Sequence, residues 1–155
     1  MRVLLDSSFF FPLIGIEITQ SSRKAILEVI AKEEVIRSEL VIFELSAKGS
    51  KLINTGKLTV KDLTQGITAI QYNQKIETIP IYYSEIQTLA CELRKHHTDH
   101  IDCLIVATAV HHAEEMITLD KELKRKAQEE WKAVIEKENK KFKLVLWEEY
   151  EKQKE

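Results

Sequence analysis

Four acidic residues stand where an ionised side chain would meet the core: Asp6, Glu44, Asp102 and Asp120. Asp6 follows the apolar run Val3-Leu4-Leu5, and Asp120 follows Met116-Ile117-Thr118-Leu119. Each sits where a buried strand would emerge at the edge of a sheet. Glu44 lies within Leu40-Val41-Ile42-Phe43-Glu44-Leu45, a helical stretch apolar on most sides. An ionised carboxylate buried there costs roughly several kcal/mol unless a cation compensates it. Asp102 opens the run Cys103-Leu104-Ile105-Val106-Ala107, a helix start apolar almost all round and therefore expected in the domain centre. Taken singly, Asp6 and Asp120 read as helix caps, Asp102 as an acid that gains from a helix dipole, and Glu44 as a helix-edge residue. Taken together they point to one shared site. Converging carboxylates raise one another's pKa, and a divalent cation removes the conflict. Oxygen-only ligands suit Mg2+ or Mn2+ over zinc or copper. Two such ions about 4 Å apart can activate a water and stabilise the leaving oxygen of a phosphodiester.

Those acids meet only if strand ends come together, and the patterning supplies the strands. Arg2 to Leu5 is a short buried strand, followed by a helical turn, Ser7 to Phe11, limited by Pro12. Ser21 or Ser22 caps a helix over Arg23 to Lys32. Val35 and Ile36 form a very short strand, and Ser38 caps a helix from Glu39 to about Ile53. Thr59 and Asp62 begin the next helix, Val60 to about Asn73. Ile76 to Ile81 reads as a weak strand that Pro80 confines to a sheet edge. Ser84 caps a helix through His96, and a break near Thr98 or Asp99 precedes another from Ile101 to about Glu114. Met116 to Asp120 is a strand, Lys121 to about Asn139 a charged helix, and Phe142 to Trp147 the last strand. This alternation predicts an α/β fold with a mostly parallel sheet and helices on both faces. Sites in such sheets lie outside the carboxyl ends of the strands.

The chain has 155 residues, which fits one domain over 1–155 with one core. Hydrophobic residues make up 44% and charged residues 31%, which argues against disorder. Formal net charge is −2, so no bulk attraction to nucleic acid exists and any such contact must use local basic patches. Cys91 and Cys103 read as small buried side chains, not as a disulfide or a zinc site. Asp6 comes too early for a signal peptide, and no apolar run reaches the ~20 residues needed to span a bilayer. The expected location is the cytoplasm, with no membrane contact.

Four segments resemble the signature blocks of PIN domains, most closely the VapC-like toxin ribonucleases. They are Leu4-Leu5-Asp6-Ser7-Ser8, Ser38-Glu39-Leu40-Val41-Ile42-Phe43-Glu44-Leu45, Asp102-Cys103-Leu104-Ile105-Val106-Ala107-Thr108-Ala109 and Ile117-Thr118-Leu119-Asp120. The resemblance covers nearly the whole chain in order and spacing. It implies a three-layer Rossmann-like fold with a sheet of four or five short strands. It also implies metal-dependent endoribonuclease activity, an RNA substrate, frequent homodimers and, for the toxins, a small antitoxin partner. By motif position Asp6, Glu44, Asp102 and Asp120 are the catalytic and metal-binding acids. Ser7, Ser8 and Thr118 match hydroxyl positions that orient a carboxylate or a metal-bound water. Asp99 falls outside the signature and either caps the following helix or lends a fifth carboxylate. The stretch from Lys121 to Lys141 is longer and more charged than the usual link to the final strand.

Lys48 and Lys51 follow Glu44 on one helix, and Lys121, Lys124 and Arg125 follow Asp120; these are candidates to hold RNA phosphates. His96, His97, His100, His111 and His112 read as surface or helix-end residues. Tyr82-Tyr83 and Phe9-Phe10-Phe11 read as core and interface, and Trp131 as a mark of a partner surface. Three functions compete. One is a nuclease, either the toxin of a toxin–antitoxin pair or a housekeeping RNA-processing enzyme. The second is a PIN-like RNA- or protein-binding module without activity, which retention of all four acids disfavours. The third is a receiver-like phosphotransfer domain, disfavoured because no phosphoacceptor and switch pattern is identifiable.

Overall fold

A computed structural model describes residues 1–155. Five strands form one sheet: β1 (Arg2–Leu5), β2 (Glu34–Ser38), β3 (Ile76–Ile79), β4 (Glu115–Thr118) and β5 (Lys143–Leu146). Their spatial order is β3-β2-β1-β4-β5, and every neighbouring pair is parallel. Eight α-helices accompany them: α1 (Arg23–Lys32), α2 (Leu40–Asn54), α3 (Val60–Gln71), α4 (Ser84–Leu93), α5 (His100–His112), α6 (Lys121–Gln128), α7 (Lys132–Glu138) and α8 (Trp147–Lys154). Two 3₁₀ segments, Ser7–Ile14 and Arg94–His96, link β1 to α1 and α4 to α5.

Alternation along the strands divides the core into two layers. Leu4, Ile36, Met116 and Leu144 pack on one face with Leu89 of α4, Ile105 of α5 and Ile135 of α7. Val3, Leu5, Val35, Ile117 and Val145 pack on the other with Phe9, Ile26, Leu45, Ile70 and Tyr150. The two clusters hold 20 and 19 buried residues, so both sheet faces are shielded equally, as a parallel sheet requires. The middle of α5 is buried on every side: all eight residues from Cys103 to Val110 are buried. This is the three-layer α/β architecture expected from the alternation of elements.

The strand order creates a gap for a site. From β1 the chain steps outward through β2 to β3, then returns to lay β4 on the opposite side of β1. The connections leaving β1 and β4 therefore diverge, opening a crevice at the carboxyl ends of these two strands. Asp6 leaves β1 there, its N–H donating to Ile117 O at 3.2 Å.

Local differences from the sequence expectation have physical causes. Pro12 does not end the first turn; the 3₁₀ segment runs through it to Ile14, because proline's fixed φ is helical, and Gly15 at φ 91° ends it. Ser38 is the last residue of β2, which is longer than Val35–Ile36, although its Oγ still accepts from Leu40 N at 3.2 Å. Ser84 is the first residue of α4 and not its cap. The charged stretch after Asp120 is two helices. At the break Trp131 turns fully into the core, where its Nε1 donates to Leu93 O at 3.0 Å. Burial of a large ring with its one donor satisfied outweighs an interrupted helix, so Trp131 is no partner surface. Trp147 opens α8, a helix the sequence reading lacks. Cys103 is buried but Cys91 is exposed. Phe9 and Phe10 are core residues, whereas Tyr82 and Tyr83 are exposed. β3 ends just before Pro80 at the sheet edge, as expected.

Gly66 of α3 sets how closely that helix approaches the first 3₁₀ segment. A Cβ there would lie 2.5 Å from Ile14 Cγ2 and 2.7 Å from Leu13 O, a backbone atom that cannot rotate away. Alanine gains about 1 kcal/mol in helix propensity, but overpacking costs about 1–3 kcal/mol and a forced backbone shift adds to it. Gly66→Ala is expected to lower stability by about 1–2 kcal/mol net. Urea unfolding checks this; a variant as stable as the parent would mean the contact relaxes freely.

Candidate active site

The carboxyl edge of the sheet gathers the acids through two hydroxyls. Asp6 caps the 3₁₀ segment, its Oδ1 accepting from Ser7 N at 2.8 Å. Its Oδ2 accepts from Thr118 Oγ1 at 2.7 Å. Thr118 is the last residue of β4 and wholly buried, and the same Oγ1 accepts from Asp120 N at 3.1 Å. One hydroxyl thus ties the first acid to the last. Ser7 does the equivalent on the other side: its Oγ donates to Glu44 Oε1 of α2 at 2.5 Å. Ser8, the next residue, bonds neither acid. Asp120 caps α6, accepting from Glu122 N and Leu123 N at 2.8 and 3.2 Å. Asp99 caps α5, accepting from Ile101 N and Asp102 N at 2.9 and 3.3 Å. Of the two readings for Asp99, the cap is the one observed.

Asp102 has a partner the sequence reading missed. His97 Nε2 lies 2.8 Å from Asp102 Oδ2. His97 sits in an extended link after the second 3₁₀ segment, which turns its ring back over the start of α5. The ring rests edge-on against Trp131, with centroids 5.4 Å apart and planes at 83°. No spacing rule signals this contact, because it depends on an irregular turn and on a tryptophan more than thirty residues away.

The electrostatics are those of negative charge held together. Burial pushes the Asp6 carboxyl up to about 6; hydrogen bonds from Thr118 and Ser7 oppose this, and Asp102 and Asp120 add repulsion. Burial likewise raises Glu44 to about 7 against the Ser7 bond, with further repulsion from Asp6, Asp102 and Asp99. Asp102 is raised by burial, opposed by His97 and reinforced by Asp99 and Asp120. Neither lysine nor arginine pairs with any of the four; the ion-paired lysines and arginines serve other acids. A donor set of carboxylate oxygens lacking a cation fits a hard divalent ion. The side chains do not yet close around one: no three His, Cys, Asp or Glu groups converge to ligand distance.

The candidate phosphate contacts divide. Lys48 and Lys51 are exposed on α2, and Lys121 is exposed at the start of α6. Lys124 is engaged elsewhere, donating to Leu144 O at 2.8 Å and pairing with Glu149 at 3.0 Å. Arg125 is held by Glu122, Glu129 and Glu130. Both are candidate phosphate contacts, and within the fold each is already paired with acids.

The family model for the PIN domain matches residues 3–129. A chain of the VapBC2 complex from Rickettsia felis, solved bound to a DNA fragment from the complex's promoter, superposes with a TM-score of 0.61. It is 19% identical, and the match covers 95% of this chain and 99% of that one. A chain of a toxin–antitoxin complex from Klebsiella pneumoniae gives a TM-score of 0.52 at 19% identity, over 76% of this chain and 86% of that one. No curated protein sequence matches.

The raised carboxyl of Asp6 gives a signed pH dependence. With a folded value of about 6 and an unfolded value of about 4, the folded chain binds more protons between them. This contribution to stability is complete below about pH 4 and is lost as pH rises through about 6. Asp6→Asn has no such loss. In metal-free buffer its stability relative to the parent is expected to grow between about pH 4 and about pH 7 and then level off. Urea midpoints across that range check it; a difference independent of pH would contradict the shift.

Proposed function

The chain belongs to the PIN domain family, and on that premise we propose that it is a VapC-like endoribonuclease dependent on Mg2+ or Mn2+. The observation that carries this reading is the set of four carboxylates, unmatched by lysine or arginine, at the strand-order reversal between β1 and β4. Asp6, Asp102 and Asp120 would hold the principal ion. Glu44 would ligate it directly or through water, or help activate the attacking water. Bound there, the ion supplies charge neutralisation at the phosphoryl oxygens and a more acidic water.

The rest of the work falls to the chain. Ser7 spans Asp6 and Glu44, so it fixes the separation of these two acids. Thr118 does the same for Asp6 and Asp120, and Asp99 anchors the first turn from which Asp102 projects. The bonds to the Asp6 and Glu44 carboxylates limit how far each can turn and favour the charged form that a cation needs, while those to Asp120 N and Asp102 N fix the backbone that carries the other two. Glu44, raised to about 7, can accept a proton from water at neutral pH. Lys48, Lys51 and Lys121 are free to meet flanking phosphates.

The solved chains of similar fold come from toxin–antitoxin complexes, which supports a toxin role with a small antitoxin as partner. One PIN domain over residues 1–155, a homodimer and action in the cytoplasm complete the reading. No helix is long and apolar enough to cross a membrane. His97 bound to Asp102 favours a second reading, a PIN-like module that binds RNA or protein without cutting it.

Cleavage separates the two. With Mn2+, the parent is expected to cut unstructured or structured RNA at mappable sites, and chelation to stop it. Asp6→Asn is expected to lose at least about a hundredfold in rate while keeping its fold, as removal of a charge-stabilising group does. Equal cleavage by Asp6→Asn, with contaminating nuclease excluded, would refute the assignment. An inert parent would favour the binding module.

A further inference from the structure

Beside Asp102, and distinct from the acids, lies a cavity of about 500 Å³ with no apolar residue in its lining. Arg94, Lys95, His96, His97 and Lys126 form most of its wall. The only acid there, Glu122, is already held by Arg125 at 2.7 Å. Lys95 pairs with Glu92, but neither Arg94 nor Lys126 has a carboxylate partner. Arg94 spends Nη1 on His97 O at 2.7 Å and keeps the rest of its guanidinium free. Lys126 is buried, its ammonium donating to His96 O and lying 5.9 Å from the Trp131 ring centre. An anion entering this cavity would meet two cations without a carboxylate partner, Arg94 and Lys126.

Arg94, Lys95 and His96 are exposed, but the packing beneath them is fixed. Trp131 holds Leu93 O from beneath and braces the His97 ring, while Lys126 ties α6 to the turn that carries both histidines. The longer charged segment after Asp120 provides Lys126 and Trp131, and so this wall. With no hydrophobic residue in the lining and cationic donors at Arg94, Lys95 and Lys126, the cavity suits a phosphate. His97 joins it to Asp102, so a strand lying in it would continue over the acids.

We propose that this cavity seats a backbone phosphate of RNA flanking the phosphodiester offered to the acids. The proposal rests on the nuclease reading, and the experiment separates the two. Binding of labelled single-stranded RNA is measured against salt in the full chain carrying Asp6→Asn, so that RNA stays intact. Adding Arg94→Gln is expected to weaken binding roughly fivefold for every sequence and to reduce the slope of log affinity against log salt by about 0.7. Arg94→Lys, which keeps the charge, is expected to retain the parent slope, as is Arg23→Gln outside the cavity. An Arg94→Gln slope and affinity equal to the parent's, while the native chain cuts RNA, overturns this site and leaves the nuclease intact. A matching loss in Arg94→Lys, with melting temperature lowered in both, would make Arg94 a brace for the turn and also overturns it. Failure of the native chain to bind or cut any RNA removes both readings.

Discussion

Burial of carboxylates together at one end of a parallel sheet is the constraint around which this chain is arranged. Asp6 and Glu44 are each held well above the usual carboxylate range, and burial is the leading cause for both. A protein selected only for stability would replace these acids or give them a lysine. Here the nearest support is hydroxyl and backbone N–H: Ser7 and Thr118 bond the acids without neutralising them. Hydrogen bonds orient a carboxylate but leave its charge available to a cation, whereas a salt bridge consumes it. That difference is what the proposed ion site requires.

The fold makes this arrangement affordable. The reversal of strand order between β1 and β4 separates the segments that follow them, so Asp6 and Asp120 emerge side by side in a crevice. α5 brings Asp102 to the same edge, and its fully buried run from Cys103 to Val110 anchors it in the core. Glu44 arrives on α2, whose Val41 and Leu45 pack against the opposite face of the sheet. Acids from four segments are thereby tied to rigid elements, and their approach is set by core packing. The extra turn with Trp131 extends the same logic: a buried ring, far along the chain, fixes the histidine that meets Asp102.

What the sequence shows and what it hides follow from how local each cause is. Asp6 and Asp120 are legible because a short apolar run ending in Asp describes a strand edge without reference to anything distant. Glu44 and Asp102 are legible because an acid inside an apolar helix is costly wherever the helix lies. The sheet, its parallel sense and the edge position of β3 follow from alternation and from Pro80. By contrast, the His97–Asp102 contact, the inward turn of Trp131 and the internal pairing of Lys124 and Arg125 arise from segments that meet only in three dimensions. Charge spacing alone cannot tell a solvated lysine from one already matched. Helical periodicity after Asp120 predicts one long helix, which burial of the single ring of Trp131 interrupts.

The central claim is that these carboxylates act as one cation site, although no three of them yet stand at ligand distance. Calorimetric titration of the native chain with Mn2+, compared with an Asp102→Asn variant, tests it most directly. Saturable binding near neutral pH, accompanied by proton release and weakened at least roughly tenfold in the variant, is the result the account predicts. Heats indistinguishable from dilution in the native chain, or equal affinity in both proteins, would contradict it.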